Sequence, residues 1–256
     1  MDVHPFVARG FADVAEAYER GRPDYPPDAV VWLAQRAGIG PGTTVVDVGA
    51  GTGKLTRHLV ALGARVIAVE PLAPMREVLA RTVPDADLVA GSAEAIPRPD
   101  ASADAVTAGQ AAHWFRADEA AGEFARVLRR GGGVGLIWNG RDLDDPLQAA
   151  IEELIAPSRE RAPVDRWPDW RDGLARGPFS PLEEAQFAHV HQLAVGEVAA
   201  LVSSYSYVGA LPALERDALL QRVQELVLSS DNVSPASEGP RVRLAYRTDA
   251  YACRRR

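Results

Sequence analysis

The chain of 256 residues is 47% hydrophobic and 25% charged, a composition typical of a globular protein with a sizeable core. Its 28 Lys and Arg residues against 35 Asp and Glu residues give a formal net charge of -7, so its charge favours neither nucleic acid nor an anionic membrane as a partner. A single cysteine, Cys253, forms neither an internal disulfide nor a cysteine-based zinc site. With no export signal or long apolar run, we expect a cytoplasmic monomer or homodimer.

Short β-branched runs alternate with helical patterns from Thr43 onward, which predicts a parallel sheet with crossover helices. The first predicted strand, 43–48, is apolar without alternation and is therefore expected to be buried on both faces. Further strands are predicted at 65–70, 86–90, 103–108 and 134–138. Helices are predicted at 54–62, 73–82 and 116–129.

The pattern changes after Asn139. A helix is predicted at 144–156, followed by an irregular loop or small cap over 157–181, which is rich in Pro, Trp and Arg. Strands at 185–193 and 242–251, separated by helices near 195–203 and 211–228, are expected to finish the sheet with an antiparallel hairpin. The predicted fold is α/β, a Rossmann-like sheet of about seven mostly parallel strands with helices on both faces.

A glycine-rich turn follows the first strand in the segment Asp47-Val48-Gly49-Ala50-Gly51-Thr52-Gly53. Glycine permits positive φ and close approach of a ligand to the main chain, at the sheet edge where parallel strands bind ligands. The dinucleotide fingerprint needs a third glycine at the position of Lys54, and the P-loop pattern is also absent. The spacing therefore favours a nucleotide-like cofactor of another kind.

Glu70 lies 23 residues beyond Asp47, at the end of the second strand. An acid at this position can accept hydrogen bonds from both hydroxyls of a ribose and would repel a 2′-phosphate. The alternative is a purely structural strand-turn-helix, in which the glycines permit close packing and Glu70 caps a helix.

The segment 45–53 resembles motif I of the class I S-adenosylmethionine-dependent methyltransferases. Further resemblances cover Glu70-Pro71, the segment 91–97, and the turn 128–132, where Arg130 replaces the usual proline. The segments 110–115 and 18–26 are similar to the small-molecule branch that includes trans-aconitate methyltransferase-like proteins. The similarity extends from about Tyr18 to Asn139 and becomes faint afterwards.

This resemblance implies an enzyme that transfers a methyl group from S-adenosylmethionine to an O, N or carboxylate acceptor on a small molecule. It implies one domain over 1–256, with an N-terminal lid and helix in 1–40, a cofactor-binding core in 43–140, and a partly helical cap and final strands in 141–256. The residues expected to bind the cofactor are Tyr18, Arg22, Asp47, Gly49, Ala50, Gly51, Gly53, Glu70, Pro71, Leu72, Ser92, Ala93 and Gln110. Among them, Asp47 and the glycine loop are assigned to the methionine end, Glu70 to the ribose, and Leu72, Ser92 and Ala93 to the adenine.

His113 is the candidate catalytic residue, because the resemblance places it beside the methyl group. Its unperturbed pKa near 6.5 suits a general base for a hydroxyl or amine acceptor, whereas a carboxylate acceptor would need His113 only for positioning. The expected acceptor-facing residues are Tyr25, His113, Trp114 and Trp138. Tyr18, Arg22 and Tyr25 form either a lid over the site or a structural clasp for the N-terminus.

Two other functions remain open on this scaffold: a cyclase or rearrangement enzyme, and a non-catalytic protein that senses the cofactor. No metal is expected. His189 and His191 have a spacing that can bind a metal on one strand face, but neither an acid nor a cysteine is placed as a third ligand. Trp167 and Trp170 either line an apolar acceptor pocket or pack as a cap.

Overall fold

The computed structural model describes residues 15–161, 169–237 and 239–256. The strands are β1 (Thr44–Val48), β2 (Arg65–Val69), β3 (Asp87–Val89), β4 (Ala103–Gly109), β5 (Leu128–Arg141), β6 (Glu183–Ala194), β7 (Val233–Ser234) and β8 (Arg241–Arg254). The α-helices are α1 (Ala15–Gly21), α2 (Pro27–Ala37), α3 (Thr56–Ala61), α4 (Ala73–Thr82), α5 (Ala117–Val127), α6 (Pro146–Glu160), α7 (Trp170–Arg176), α8 (Val198–Ser203), α9 (Ser206–Gly209) and α10 (Ala213–Leu228). Short 3₁₀ helices cover Ala112–Trp114 and Val195–Glu197.

The strands form one sheet in the order β3-β2-β1-β4-β5-β8-β6, with β7 paired to β8. The strands β1 to β5 pair in parallel, whereas β8 is antiparallel to both β5 and β6. The predicted α/β fold with a final antiparallel hairpin is therefore confirmed. β5 pairs with β4 only as far as Ile137 and then continues to Arg141 alongside β8. β5 therefore extends beyond the carboxyl end of β4.

Consecutive valines of β1 pack into different cores, which explains why the valines of this strand run together instead of alternating with polar residues. Val45 joins a cluster with Leu33 of α2, while Val46 joins a cluster with Phe124 of α5. Helices therefore cover both faces of the sheet. α2 begins at Pro27 and ends at Ala37, and the next residue, Gly38, has a φ of 73°, the left-handed conformation that glycine readily adopts.

A separate apolar cluster joins α6, α8 and α10 to β6 and β8. Its fully buried members include Ile155, Val198, Val223 and Leu244. Among the described residues no helix is both long enough and apolar enough to cross a membrane.

The segment 157–181, predicted as an irregular loop or small cap, is helical at its start and again over Trp170–Arg176. α6 continues through Pro157 to Glu160, because Ile151 and Ile155 anchor the helix in the apolar cluster and Pro157 lies only in its last turn. α7 forms inside the segment, with the Asp169 side chain accepting a hydrogen bond from the Arg171 backbone N–H at its start. Trp167 lies outside the described residues.

Candidate active site

The glycine loop after β1 is shaped by three residues with positive φ: Gly49 at 65°, Gly51 at 59° and Gly53 at 93°. A Cβ on Gly49 would come within 2.7 Å of the Ala111 Cβ, and one on Gly53 would overlap Leu79 of α4. A Cβ on Gly51, in contrast, would meet nothing within 4 Å. The outer glycines therefore permit close packing, while Gly51 faces open space where a ligand can approach the main chain.

Glu70 follows β2 and turns its carboxylate toward this loop. Its Oε2 accepts a hydrogen bond from the Gly51 backbone N–H at 2.9 Å, and its Oε1 accepts one from the Leu72 backbone N–H, also at 2.9 Å. Burial raises the pKa of Glu70 to about 6. Because each carboxylate oxygen can accept a second hydrogen bond, Glu70 can hold two hydroxyl groups of a ligand.

Asp47 is fully buried and accepts hydrogen bonds from two threonine hydroxyls, at 2.6 Å from Thr56 and 2.8 Å from Thr107. Burial raises the pKa of Asp47 to about 6. These bonds join the end of β1 to the start of α3 and to β4. The geometry gives Asp47 a role in ordering the loop, and its direct contact with a cofactor stays a prediction.

The segment expected on the adenine side lies next to Glu70. A Cβ on Gly91 would come within 2.9 Å of Val69, so the turn carrying Ser92 and Ala93 packs against the end of β2. Ala93 is buried, whereas Ser92 and Leu72 keep part of their surface exposed. Pro71 lies in the same loop, where its carbonyl oxygen accepts a hydrogen bond from Arg76 at 2.7 Å.

His113 lies in the 3₁₀ helix after β4, and its Nδ1 meets the indole N–H of Trp138 at 3.2 Å. Its ring packs against Trp114, with centroids 4.8 Å apart. Loss of water around the ring through partial burial, together with the positive charge of Arg22, lowers the pKa of His113 to about 4. The residue is nevertheless exposed to solvent, so a ligand can reach it.

The contact with Trp138 decides the tautomer of His113. An indole N–H can only donate, so His113 Nδ1 must be the unprotonated nitrogen, and the proton of the neutral ring lies on Nε2. His113 therefore offers the site a hydrogen-bond donor. The nitrogen with the lone pair that a general base requires is already engaged.

Arg22 reaches from the N-terminal segment to the cap. Its Nε donates to the Ser204 hydroxyl at 2.8 Å and its Nη2 to the Ser204 carbonyl at 3.1 Å. The guanidinium lies 4.2 Å from the ring centroid of Tyr205 and 5.0 Å from that of Tyr18. No carboxylate pairs with Arg22 within residues 15–161, 169–237 and 239–256. Arg22 is thus a partly buried cation with neutral partners.

The sequence of this chain is similar to those of known methyltransferases. The methyltransferase domain family matches residues 46–135. An uncharacterised methyltransferase of Mycobacterium tuberculosis is 39% identical over 225 residues, and the match covers 86% of each chain. The chain belongs to the class I S-adenosylmethionine-dependent methyltransferases. The predicted enzyme class and the predicted cofactor, S-adenosylmethionine, are thereby confirmed.

Solved structures agree in fold. The YcgJ protein of Bacillus subtilis superposes on the methyltransferase with a TM-score of 0.56 at 20% identity, covering 90% of this chain and 98% of that one. A phosphoethanolamine N-methyltransferase of Haemonchus contortus, solved with phosphomonomethylethanolamine and S-adenosylhomocysteine, superposes with a TM-score of 0.58 at 14% identity. That match covers 100% of this chain and 60% of the other.

The residues around the loop fit the cofactor of this methyltransferase. The open space over Gly51 leaves room for a ligand against the backbone, and Glu70 lies beside it. The buried Thr52 hydroxyl has no hydrogen-bond partner among the described residues, as expected where a ligand completes the polar contacts.

Gln110 adopts a φ of 57°, a left-handed conformation that costs energy in a residue other than glycine and is common near functional sites. Its side-chain amide donates to the Asn139 carbonyl at 2.9 Å, which ties the end of β4 to β5. Tyr25 is buried with its hydroxyl against Gly109. This position favours the structural clasp for Tyr25, and its contact with an acceptor stays a prediction.

Trp138 and Trp170, both singled out from the sequence, belong to one aromatic cluster beside His113. Its third member, Tyr251, was not foreseen. Trp138 stacks on Trp170 at 5.0 Å between centroids, and Tyr251 packs edge-on against both rings. Arg171 donates to the Tyr251 hydroxyl at 2.8 Å. Trp170 therefore belongs to a packed cluster beside His113.

Sequence reasoning also missed Ser204 and Tyr205, which hold Arg22. The segment after β6 carries no motif, and its contact with Arg22 spans 182 residues, so no sequence signal could have revealed it. His189 and His191 bond to the Thr248 hydroxyl and to the Gly21 carbonyl, respectively. Within the described part of the chain, no group of three or more metal-ligating side chains is suited to hold a metal ion.

Proposed function

We propose that this methyltransferase transfers the methyl group to a carboxylate oxygen of a small molecule. The observation that carries the proposal is the state of His113: a neutral ring whose Nδ1 is engaged by Trp138, which leaves the proton on Nε2 as a donor. A hydroxyl or amine acceptor would have to lose a proton, but a carboxylate has none to lose. A donor suits a carboxylate because it can orient one of its oxygens.

S-adenosylmethionine, when bound, supplies an electrophilic methyl group on a sulfonium. Transfer of this methyl group to the carboxylate oxygen would leave the electron pair of the broken carbon–sulfur bond on sulfur, while the glycine loop and Glu70 would hold the donor in place. His113 would donate from Nε2 to the acceptor, so the protein has to align the reactants and exclude water. Trp114 and Trp138 would form the wall beside His113.

The assignments of the cofactor-binding residues belong to this proposal. The backbone of Gly49, Ala50, Gly51 and Gly53 would approach the methionine end, ordered from behind by Asp47. Glu70 would accept from the ribose hydroxyls, and Pro71, Leu72, Ser92 and Ala93 would border the adenine. Gln110, Tyr18 and Arg22 would close the methionine side, where Arg22 can neutralise a carboxylate of the cofactor or of the acceptor.

Substitutions of His113 test the proposal. Purified protein is screened with small carboxylic acids and matched amides and alcohols, with S-adenosylhomocysteine release and methyl-ester formation as readouts. The variant His113→Ala should raise KM roughly 10-fold, the value of one hydrogen bond to a charged group, with little change in kcat. Because glutamine can donate from an amide near the position of Nε2, His113→Gln should restore much of the lost affinity.

The pH profile separates positioning from base catalysis. The pKa of His113 near 4 leaves the ring neutral at every higher pH, so kcat/KM should show no limb from His113 between about pH 6 and pH 8. A loss in kcat of about 100- to 10,000-fold in both variants, together with a pH limb that they lack, would assign His113 as a base. The acceptor would then be a hydroxyl or an amine.

A further inference from the structure

The N-terminal strap, residues 22–26, connects α1 to α2 and has no helix or strand of its own. Side chains from distant parts of the chain hold it instead. At the cap end, the Arg22 guanidinium donates to the hydroxyl and to the carbonyl of Ser204. The strap carries Arg22 and Tyr25, two residues expected at the site, so its position decides where these two side chains lie.

Asn139 holds the other end of the strap, at the sheet. Its Nδ2 donates to the Asp24 carbonyl oxygen at 3.2 Å and lies 3.5 Å from the Pro23 carbonyl oxygen. Its Oδ1 accepts a hydrogen bond from the Thr248 hydroxyl at 2.6 Å. Two carbonyl oxygens face one end of the amide, and a carbonyl oxygen can only accept, so that end must be the nitrogen. These contacts therefore fix the orientation of the Asn139 amide.

The contact with Thr248 belongs to a chain of hydrogen bonds across three strands. Asn139 of β5 lies directly opposite Thr248 of β8, which is fully buried. Because Thr248 donates its only hydroxyl proton to Asn139, its oxygen accepts from His189 Nδ1 of β6, 3.2 Å away. Successive donors thus point from β6 through β8 and β5 to the strap, an arrangement in which each hydrogen bond strengthens the next.

The strap ends beside a residue expected near the methyl group. Tyr25, which follows Asp24, is buried, and a Cβ on Gly109 would come within 2.5 Å of its hydroxyl. The next residue of the sheet edge, Gln110, donates its side-chain amide to the backbone carbonyl of Asn139. This bond uses the main chain of Asn139, so replacement of the Asn139 side chain leaves it in place. Substitutions at this position therefore act on the strap.

We propose that Asn139 is a positioning residue, whose amide latches the strap to the sheet and thereby sets the place of Arg22 at the methionine end of the cofactor. Asn139 acts through the Asp24 carbonyl oxygen, and Thr248 holds its amide in the orientation that donates. Ser204 fixes the guanidinium of Arg22 from the cap, and Asn139 fixes the main chain from the sheet. The inference rests on the proposed function only for the assignment of Arg22 to the cofactor.

The binding of two ligands to the full-length protein, measured by calorimetry, tests the latch. S-adenosylhomocysteine has the amino-acid part that Arg22 would hold, whereas methylthioadenosine keeps the adenosine and the sulfur but lacks that part. Asn139→Asp keeps an oxygen for Thr248 and turns a second oxygen toward the Asp24 carbonyl, which repels it. The variant should weaken S-adenosylhomocysteine binding about 10-fold and methylthioadenosine binding less than about 2-fold.

Two substitutions of Thr248 test the latch without adding a charge. Thr248→Val replaces the hydroxyl with a methyl group of similar size and leaves Asn139 Oδ1 without its donor. It should weaken S-adenosylhomocysteine binding roughly 3-fold and leave methylthioadenosine binding unchanged. Thr248→Ser retains the hydroxyl and should bind both ligands like the wild type.

Asn232→Asp is the matched control for Asn139→Asp. Asn232 also donates its side-chain amide to a backbone carbonyl, that of Arg243 at 3.0 Å, but it lies before β7 and outside the site. The control variant should lower Tm, because the new carboxylate faces that carbonyl, and it should leave both affinities unchanged.

Hydrogen exchange checks the latch in the ligand-free protein. The Arg22 amide N–H donates to the Tyr18 carbonyl and that of Tyr25 to the Asp24 carboxylate, so both exchange only when the strap opens. Loss of the latch should make both amides exchange about 10-fold faster in Asn139→Asp. In the Asn232→Asp control they should exchange as in the wild type.

Equal losses of affinity for the two ligands in Asn139→Asp would indicate a general structural defect and would overturn the latch. Unchanged exchange at Arg22 and Tyr25 would overturn it as well, as would a Thr248→Ser variant that binds like Thr248→Val. None of these measurements involves an acceptor or the titration of His113. The proposed function fails by the pH profile of His113, so the two failures are distinguishable.

Discussion

The proposed site has a cofactor half, formed by the glycine loop 49–53 and Glu70, and an acceptor half, formed by His113, Trp138 and the aromatic cluster beside them. The contacts that build the two halves join residues at different separations in the sequence. In the cofactor half, the bond from Gly51 to Glu70 joins residues 19 apart in the chain. In the acceptor half, the bond from Arg171 to Tyr251 joins residues 80 apart. On the proposed assignments, the glycine loop and Glu70 come from one local unit, whereas the acceptor side depends on how the β5 extension, the cap and β8 come together.

If the cofactor half and the acceptor half bind their ligands independently, substitutions in the glycine loop should weaken cofactor binding more than acceptor binding. The variant Gly51→Val fills the open space over the loop and should reduce S-adenosylhomocysteine affinity by more than about 100-fold. Valine at a φ of 59° also strains the backbone, so part of any loss of stability is not due to the site.

Gly42→Val is the matched control, because Gly42 has a φ of 80°, an equally open Cβ position and no place in the loop. It should show a similar fall in Tm with unchanged cofactor affinity by calorimetry. Cofactor affinity that survives in Gly51→Val would locate the cofactor elsewhere.

A smaller effect is expected from Glu70→Gln, which should weaken S-adenosylhomocysteine binding by roughly 1.5 to 3 kcal/mol. The wild type should lose affinity as the pH falls through about 6, because protonation of Glu70 removes an acceptor, and the variant should lack this dependence. Glu77→Gln, an exposed change on the neighbouring helix α4, is the control and should behave like the wild type. A variant that kept the full pH dependence would exclude Glu70 as its source.

The carboxyl groups of Glu70 and Asp47 also affect the stability of the ligand-free protein. Burial raises the pKa of Glu70 and Asp47 to about 6, above their ordinary values of 4.5 and 3.8. The native state therefore binds more protons than the unfolded state between these values. The contribution of both groups to the free energy of unfolding should fall as the pH rises from about 4 to about 6. Denaturant melts of the Asp47→Asn and Glu70→Gln variants should show a weaker fall over this window.

The smallest expected effect is that of Trp138→Phe, which removes the indole N–H and keeps an aromatic ring against Trp170. His113 would then be free to change tautomer, and KM for the acceptor should rise roughly 2- to 10-fold. Cofactor affinity should not change, because the substitution lies in the acceptor half. The ¹⁵N chemical shifts of the His113 ring should show one neutral tautomer in the wild type and a mixture in the variant. A mixture already present in the wild type would contradict the assigned role of Trp138.

Several elements of the first half could be predicted with accurate bounds. The predicted helix 73–82 coincides with α4, and the strand 43–48 differs from β1 by one residue. Both have strong local signals, since α4 has Pro74 in its first turn and the valines of β1 run together just before the glycines. Pro157 misled the prediction of α6, because the burial of Ile155 outweighs the local preference of proline.

The sequence by itself determined the shape of the proposed cofactor site, because the φ angles of the glycine loop and the position of Glu70 depend on residues within one βαβ unit. Only the tertiary structure decided the acceptor side. The tautomer of His113 depends on Trp138 of another strand, and the alignment of Asn139 with Thr248 depends on the register of an antiparallel pair. Shifting that register by one residue would turn either side chain to the opposite face, and no local pattern specifies such a partner.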